Sequence, residues 1–333
     1  MTRRILLLTV LVLAGANAPL SAYLKLGTRV DDNRTVTLKW EQFPIRYFVT
    51  DRAADGVGVS QFQTTMQRAF ETWQAVEDVE LSSTFAGFTQ ASPTTGDGLT
   101  VLGFVNRADQ DRVLGATSFL IDTSDGEIIE SDIYFNSAFP WSVASGGEGG
   151  RFDLESIAVH EIGHLLGLGH SAIGETELRP GGGRRVIAAE AVMFPVAFAA
   201  GNIESRTLKA DDIAGMTDIY GTGTARRQTG SISGRVTKSG TGILGAHVTA
   251  FNPRTGLTVG GFTLSADGSF VIAGLEPGPH IVRAEPLDDG DIESFLDASQ
   301  DIDVDFRVKF SEKLAVVPRG GGTRGVDIRV VAK

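Results

Sequence analysis

Apolar residues fall along this chain in two textures. Between residues 40 and 221, Phe62, Met66, Phe70 and Trp73 recur three or four positions apart, which predicts an amphipathic helix over about residues 60–76. Around it, residues 44–50, 99–105, 116–121 and 128–135 read as strands, the last two joined by a turn at Ser124, Asp125 and Gly126. A second helix is expected from Asp153, whose carboxylate suits an N-cap, through Ile157, Leu165 and Leu166 to Gly167. Beyond residue 230 the apolar runs are short, alternating and separated by Gly, Pro and Asp. Residues 232–236, 247–251, 268–272 and 280–284 are the clearest, and the spacing predicts a small β-sandwich. Over residues 301–310, Ile302, Val304, Phe306, Val308 and Phe310 share one face and the charged residues the other, which predicts a half-buried strand. The polar, Gly-rich stretch 222–230 reads as a linker with nothing to bury. The organisation expected is an α+β domain over residues 23–221 and an all-β sandwich over 231–333.

The first 22 residues have a different texture. Arg3 and Arg4 precede an apolar run over residues 5–14, followed by the small residues Ala16, Ala18, Ser21 and Ala22. This is the layout of a cleaved secretory signal, and the run is shorter than the roughly 20 residues of a membrane span. It places the mature chain outside the cell, or in the periplasm if the source is bacterial, with no membrane attachment. Composition narrows the function classes. The net charge of −11 over 333 residues, without a clustered basic run, disfavours nucleic acid as a partner. A hydrophobic content of 42% supports a substantial core. The absence of cysteine removes disulfides and thiol chemistry, so stability rests on packing and metals.

The chemistry is concentrated in His160-Glu-Ile-Gly-His164-Leu-Leu-Gly-Leu-Gly-His170. On a helix, His160 and His164 lie four apart on one face and can present imidazole nitrogens to one ion. Glu161 is placed to reach a water on that ion without being a ligand. Gly167 permits the chain to turn back, so that His170 supplies a third nitrogen. Three protein ligands leave one tetrahedral position open, the arrangement of a catalytic rather than a structural zinc site. A chance match to all five fixed positions is on the order of 1 in 100,000 per chain, so three unrelated core histidines are a poor alternative.

These residues resemble the long zinc motif of the metzincin metallopeptidases, and Ser171 after the third histidine resembles the matrixin branch. Ala191-Val-Met193-Phe-Pro195 is similar to the family's Met-turn, and residues 208–221 to its closing helix. The resemblance spans roughly residues 38–221. It implies a zincin fold with a twisted mixed sheet and hydrolysis of peptide bonds by a zinc-activated water, with Glu161 as general base. It also implies protein or peptide substrates lying along an edge strand, for which Gly115, Ala116, Thr117 and Ser118 are the candidates. Several features depart from the family pattern. No histidine precedes His160, so one zinc per chain is expected. No cysteine is available for latency, leaving Asp31 or Asp32 as an acidic plug or as plain exposed loop. Asn136 and Ser137 stand where an acidic calcium-binding run is expected. Residues 179–185 read as a mobile loop beside the cleft.

The second region resembles the carboxypeptidase regulatory-like (transthyretin-like) domain through Gly234, Gly245, residues 267–270 and residues 274–280. His247 and His280 read as ordinary strand positions, and the acidic residues 288–305 as a solvated face, with Ca2+ the alternative. Two functions remain open. One is the secreted zinc endopeptidase; the other is a catalytically idle adhesin or carbohydrate-binding protein that keeps the zincin shape. Glu161 discriminates between them, because a scaffold has no use for a general base.

Overall fold

The computed structural model describes residues 5–9, 25–29, 35–180, 183–287, 291–296 and 301–333. The N-terminal half is built on a six-stranded mixed sheet. Its strands are β1 (Ile5–Thr9), β2 (Ile45–Thr50), β3 (Ser83–Thr89), β4 (Thr100–Val105), β5 (Gly115–Asp122) and β6 (Ile128–Asn136), in the spatial order β1-β5-β6-β4-β2-β3. Strands β2, β3, β4 and β6 run parallel, and β5 and β1 are antiparallel to their neighbours. Four strands fall where the alternation predicts them. β3 carries no clear alternation and was not foreseen; it pairs with β2 through a register shift.

Two helices pack on the sheet, α1 (Val59–Gln74) and α2 (Leu154–Leu165). The helical stripe is fully buried: Phe62 lies 4.7 Å from Phe104 and 5.5 Å from Phe135, and Phe70 stacks on Tyr47 at 4.5 Å. The Trp73 indole also donates to the Val159 carbonyl at 2.8 Å, which fixes α1 against α2. A third helix, α3 (Ala210–Tyr220), closes this half. Of the apolar run read as a secretory signal, only Ile5–Thr9 is among the described residues; the rest of residues 1–24, and Asp31 and Asp32, lie outside them.

The C-terminal half is a two-sheet β domain. In one sheet β7 (Gly230–Lys238) pairs with β10 (Ser269–Leu275) and, in parallel, with Gly322–Thr323 and Ile328–Val330. In the other, β8 (His247–Phe251) lies between β9 (Thr258–Phe262) and β11 (Gly278–Glu285). Ile232, Val236, Phe270 and Ile272 of the first sheet and Val248, Ala250, Val282 and Ala284 of the second are buried in the core. Residues 301–308 depart from the expected strand. Only Lys309–Phe310 pairs, with β11, and although Phe306 is buried, Val308 and Phe310 are exposed. Without a partner strand, alternation does not create a buried face. Asp303, from the acidic stretch, pairs with Lys238.

The two halves are joined more closely than the Gly-rich connector suggests. Residues Gly223–Gln228 form a helix capped by the Thr222 hydroxyl, with Ala225 buried. Asp211 of α3 accepts from the Gly260 N–H at 2.7 Å, and Ala214 packs directly on Gly274. Ala172 shares an apolar cluster with Phe262, Leu264, Leu287, Phe295 and Leu296.

Candidate metal centre

Helix α2 begins where Asp153 accepts from the Ser156 N–H at 2.9 Å and is itself held by the Arg206 guanidinium. Its far end would leave carbonyls without partners. Trp40 Nε1 donates to the Leu165 carbonyl and the Tyr220 hydroxyl to that of Leu166, both at 2.9 Å. Gly167 then takes φ +94°, and a Cβ there would lie 2.3 Å from the Leu38 carbonyl oxygen, so the turn demands glycine.

That reversal brings His170 back to His160 and His164, and ligand nitrogens of the three rings lie within 4.8 Å of one another. Each Nδ1 faces a main-chain carbonyl: His160 that of Val192 at 2.8 Å, His164 that of Leu168 at 2.8 Å, and His170 that of Ser294 at 2.6 Å. A carbonyl only accepts, so each Nδ1 carries the proton and each Nε2 is a bare lone pair. His164 Nε2 and His170 Nε2 lie 3.2 Å apart. Two lone pairs held that close repel unless a cation sits between them, so the donor set fits zinc. Burial and the neighbouring rings hold His164 well below the ordinary imidazole range and push His170 down to about 3, so the rings are neutral.

Glu161 is buried beside them. Its Oε2 accepts from the Thr117 hydroxyl at 2.8 Å, and burial raises its carboxyl to about 7 against the lowering effect of that bond. Beneath the histidines, the Met193 side chain lies against Gly163, where a Cβ would meet Sδ at 2.3 Å. The turn carrying Met193 is held by Asp212 of α3, whose carboxylate accepts from the N–H groups of Val192 at 2.9 Å and Met193 at 3.1 Å. A cleft of about 260 Å³ runs between the start of β5, α2 and residues 189–199, and the histidines and Glu161 line it.

Residues 39–181 match the sequence model of the Matrixin family. The chain carries a matrixin domain. Residues 231–309 match the model of the carboxypeptidase regulatory-like domain, which follows it. The chain is 29% identical over 198 residues to Metalloendoproteinase 1-MMP of Arabidopsis thaliana, covering 55% of this chain and 44% of the relative. It is 31% identical over 168 residues to Metalloendoproteinase 1 of Glycine max (48% and 46%), and 30% over 152 residues to Matrix metalloproteinase-16 of Homo sapiens (40% and 22%). The chain thus spans under half the length of these relatives. No helix among the described residues of the matrixin domain or its partner is long and apolar enough to cross a membrane.

The matrixin domain uses its candidate edge residues in different ways. Gly115 and Ala116 line the cleft, Thr117 is buried against Glu161, and the Ser118 hydroxyl pairs with that of Thr95 at 2.5 Å. Asn136 organises a loop: it accepts from the Arg107 N–H and donates to the carbonyls of Arg107, Gln110 and Val113. Gly174–Leu178 and Arg184–Ala189 pair as an antiparallel hairpin, so Arg184 and Arg185 of the expected loop lie in its second strand; residues 181 and 182 lie outside the described residues. In the second domain His247 is buried and its Nδ1 lies 2.9 Å from Glu285. Thr117 as the partner of Glu161, Asp212 and the Ser294 carbonyl were not foreseen; only Asp212, inside a motif-like stretch, left a trace in sequence.

Proposed function

We propose that this chain is a secreted zinc-dependent endopeptidase, with His160, His164 and His170 holding one zinc and Glu161 as general base. The observation that carries the reading is three outward-facing imidazole lone pairs converging in a cleft beside a buried carboxylate. Zinc, when bound, supplies a Lewis acid that polarises a carbonyl and acidifies water. Glu161 takes the proton of the attacking water and passes it to the leaving amine. A carboxyl raised to about 7 is matched to that exchange at neutral pH. The Thr117 hydroxyl anchors Oε2, and Oε1 lies over Gly115 at the cleft.

The substrate lies extended along the start of β5. There β1 covers residues 118–122 and stops short of Gly115, Ala116 and Thr117, and loss of the leader would free the whole edge. The opposite wall includes Val192, Phe194, Val196 and Phe198, with Ile157 from α2, which suits an apolar side chain next to the scissile bond. A scaffold protein would need neither Glu161 nor the hydroxyl that holds it. Metal analysis of the mature chain together with cleavage-site profiling of a peptide library tests the proposal. About one zinc per chain and cuts beside apolar residues are expected; a zinc-loaded chain that cuts nothing overturns it.

A further inference from the structure

The three histidines do not draw their support from one domain. The partners of His160 and His164 lie in the N-terminal half, whereas His170 Nδ1 donates across to Ser294, 124 positions on, in the turn Ile292–Ser294 of the β domain. This bond, at 2.6 Å, is the shortest of the three.

The turn is anchored rather than merely adjacent. Phe295 is buried, with its ring edge-on to His170 at 6.5 Å between centroids and 6.0 Å from Phe262. Leu296 is buried in the same apolar cluster, to which the N-terminal half contributes Ala172, two residues after His170. Arg184, on the hairpin that follows the third histidine, reaches Asp291 at the start of the turn at 3.1 Å. A main-chain oxygen and a ring of the second domain therefore meet one histidine, and the ion pair ties the turn that carries them to the N-terminal half.

We infer that the C-terminal β domain is a working part of the metal centre: the turn at residues 291–296 orients His170 through the hydrogen bond that the Ser294 carbonyl accepts from its Nδ1–H. This rests on the reading that the three histidines hold zinc. A metal-ligating imidazole is fixed in tautomer and rotation by what its other nitrogen meets, and loss of such a partner typically weakens metal binding about 10- to 100-fold. Phe295 is a positioning residue in this arrangement, because it holds the carbonyl in place without touching the metal.

The test uses the full mature chain. Zinc affinity, measured by competition with a chromogenic chelator, should fall about tenfold or more in Phe295→Ala. It should be unchanged in Phe310→Ala, whose ring is exposed in the same domain. In parallel, nitrogen-edited NMR of the zinc-loaded wild type should show a downfield, slowly exchanging His170 Nδ1 proton that Phe295→Ala loses or accelerates. Wild-type affinity in Phe295→Ala, or a His170 proton exchanging as fast as that of a solvent-facing imidazole in the wild type, overturns the inference. If Phe295→Ala does not fold, the wild-type exchange rate decides. A wild-type chain that binds no zinc overturns the functional reading and this inference with it. One that binds zinc while Phe295→Ala binds it equally well overturns only the inference.

Discussion

The hydroxyl of Thr117 fixes one oxygen of a buried carboxylate, and that small contact separates two roles at the residue scale. Glu161→Gln keeps the shape of the side chain and removes its ability to carry a proton. Peptidase activity should fall at least about a hundredfold with zinc still bound; retention of more than a tenth of wild-type casein cleavage would exclude Glu161 as the base. Thr117→Val keeps the base and frees its oxygen. Loss of a hydrogen bond to an ionised group amounts to roughly tenfold, read in kcat/KM at unchanged zinc content. A loss of zinc in this variant would mean that Thr117 supports the histidines instead. Asp132 is a different case. Its Oδ1 accepts from the Val101 N–H, Oδ2 is buried with no close hydrogen-bond donor among the described residues, and burial raises the carboxyl from 3.8 to about 7 against the lowering effects of Val101 and Thr95. The folded chain holds that proton more tightly than the unfolded chain does, so the contribution to stability falls as pH rises from about 3.8 to about 7. In calcium-free buffer Asp132→Asn should therefore be more stable than wild type at pH 8, with the difference vanishing near pH 4. Denaturant midpoints at the two pH values check this, and equal gaps at both would refute it.

At the scale of elements, α2 owes its position to contacts with segments distant in sequence. Gly163 admits Met193 from one side and Trp73 from another, a Cβ there lying 2.3 Å and 2.8 Å from their atoms. Gly163→Ala should cost about 1–3 kcal/mol, read as a lower denaturant midpoint. No change would show that the turn carrying Met193 can retreat. The legible parts of this arrangement were local ones. Periodicity fixed α1 to within two residues, and eleven consecutive positions held all three histidines and Glu161, because i, i+4 geometry and a glycine turn are written in adjacent residues. The outer partners were hidden for an equally physical reason. Val192 and Ser294 act through main-chain oxygen, which every residue type possesses, so no side-chain pattern marks them. β3 escaped because it pairs on one edge only and its bulged register breaks the alternation. Residues 301–308 misled because alternation records which side chains could face a core, not whether a neighbouring strand exists.

For the molecule as a whole, the interface between the halves outweighs the appearance of the connector. Asp211 buried against Gly260, Ala214 on Gly274 and Ala172 within the Phe262 and Phe295 cluster join the two cores. Calorimetry of the mature, zinc-loaded chain should accordingly give one transition that moves to lower temperature when zinc is chelated. Two resolved transitions, with only the first sensitive to chelator, would show domains that fold separately. The carbonyl partners of the three histidines have a further consequence, for how the sequence can drift. Positions 168, 192 and 294 can exchange side chains without removing the oxygen that matters, so point substitution there is a weak insult to the histidines. Adding or deleting one residue is a strong insult, since it moves the oxygen itself. The spacing between anchors such as Met193, Asp212 and Phe295 is therefore what the chain has to preserve, and the tolerance of this site should be set by length more than by letter.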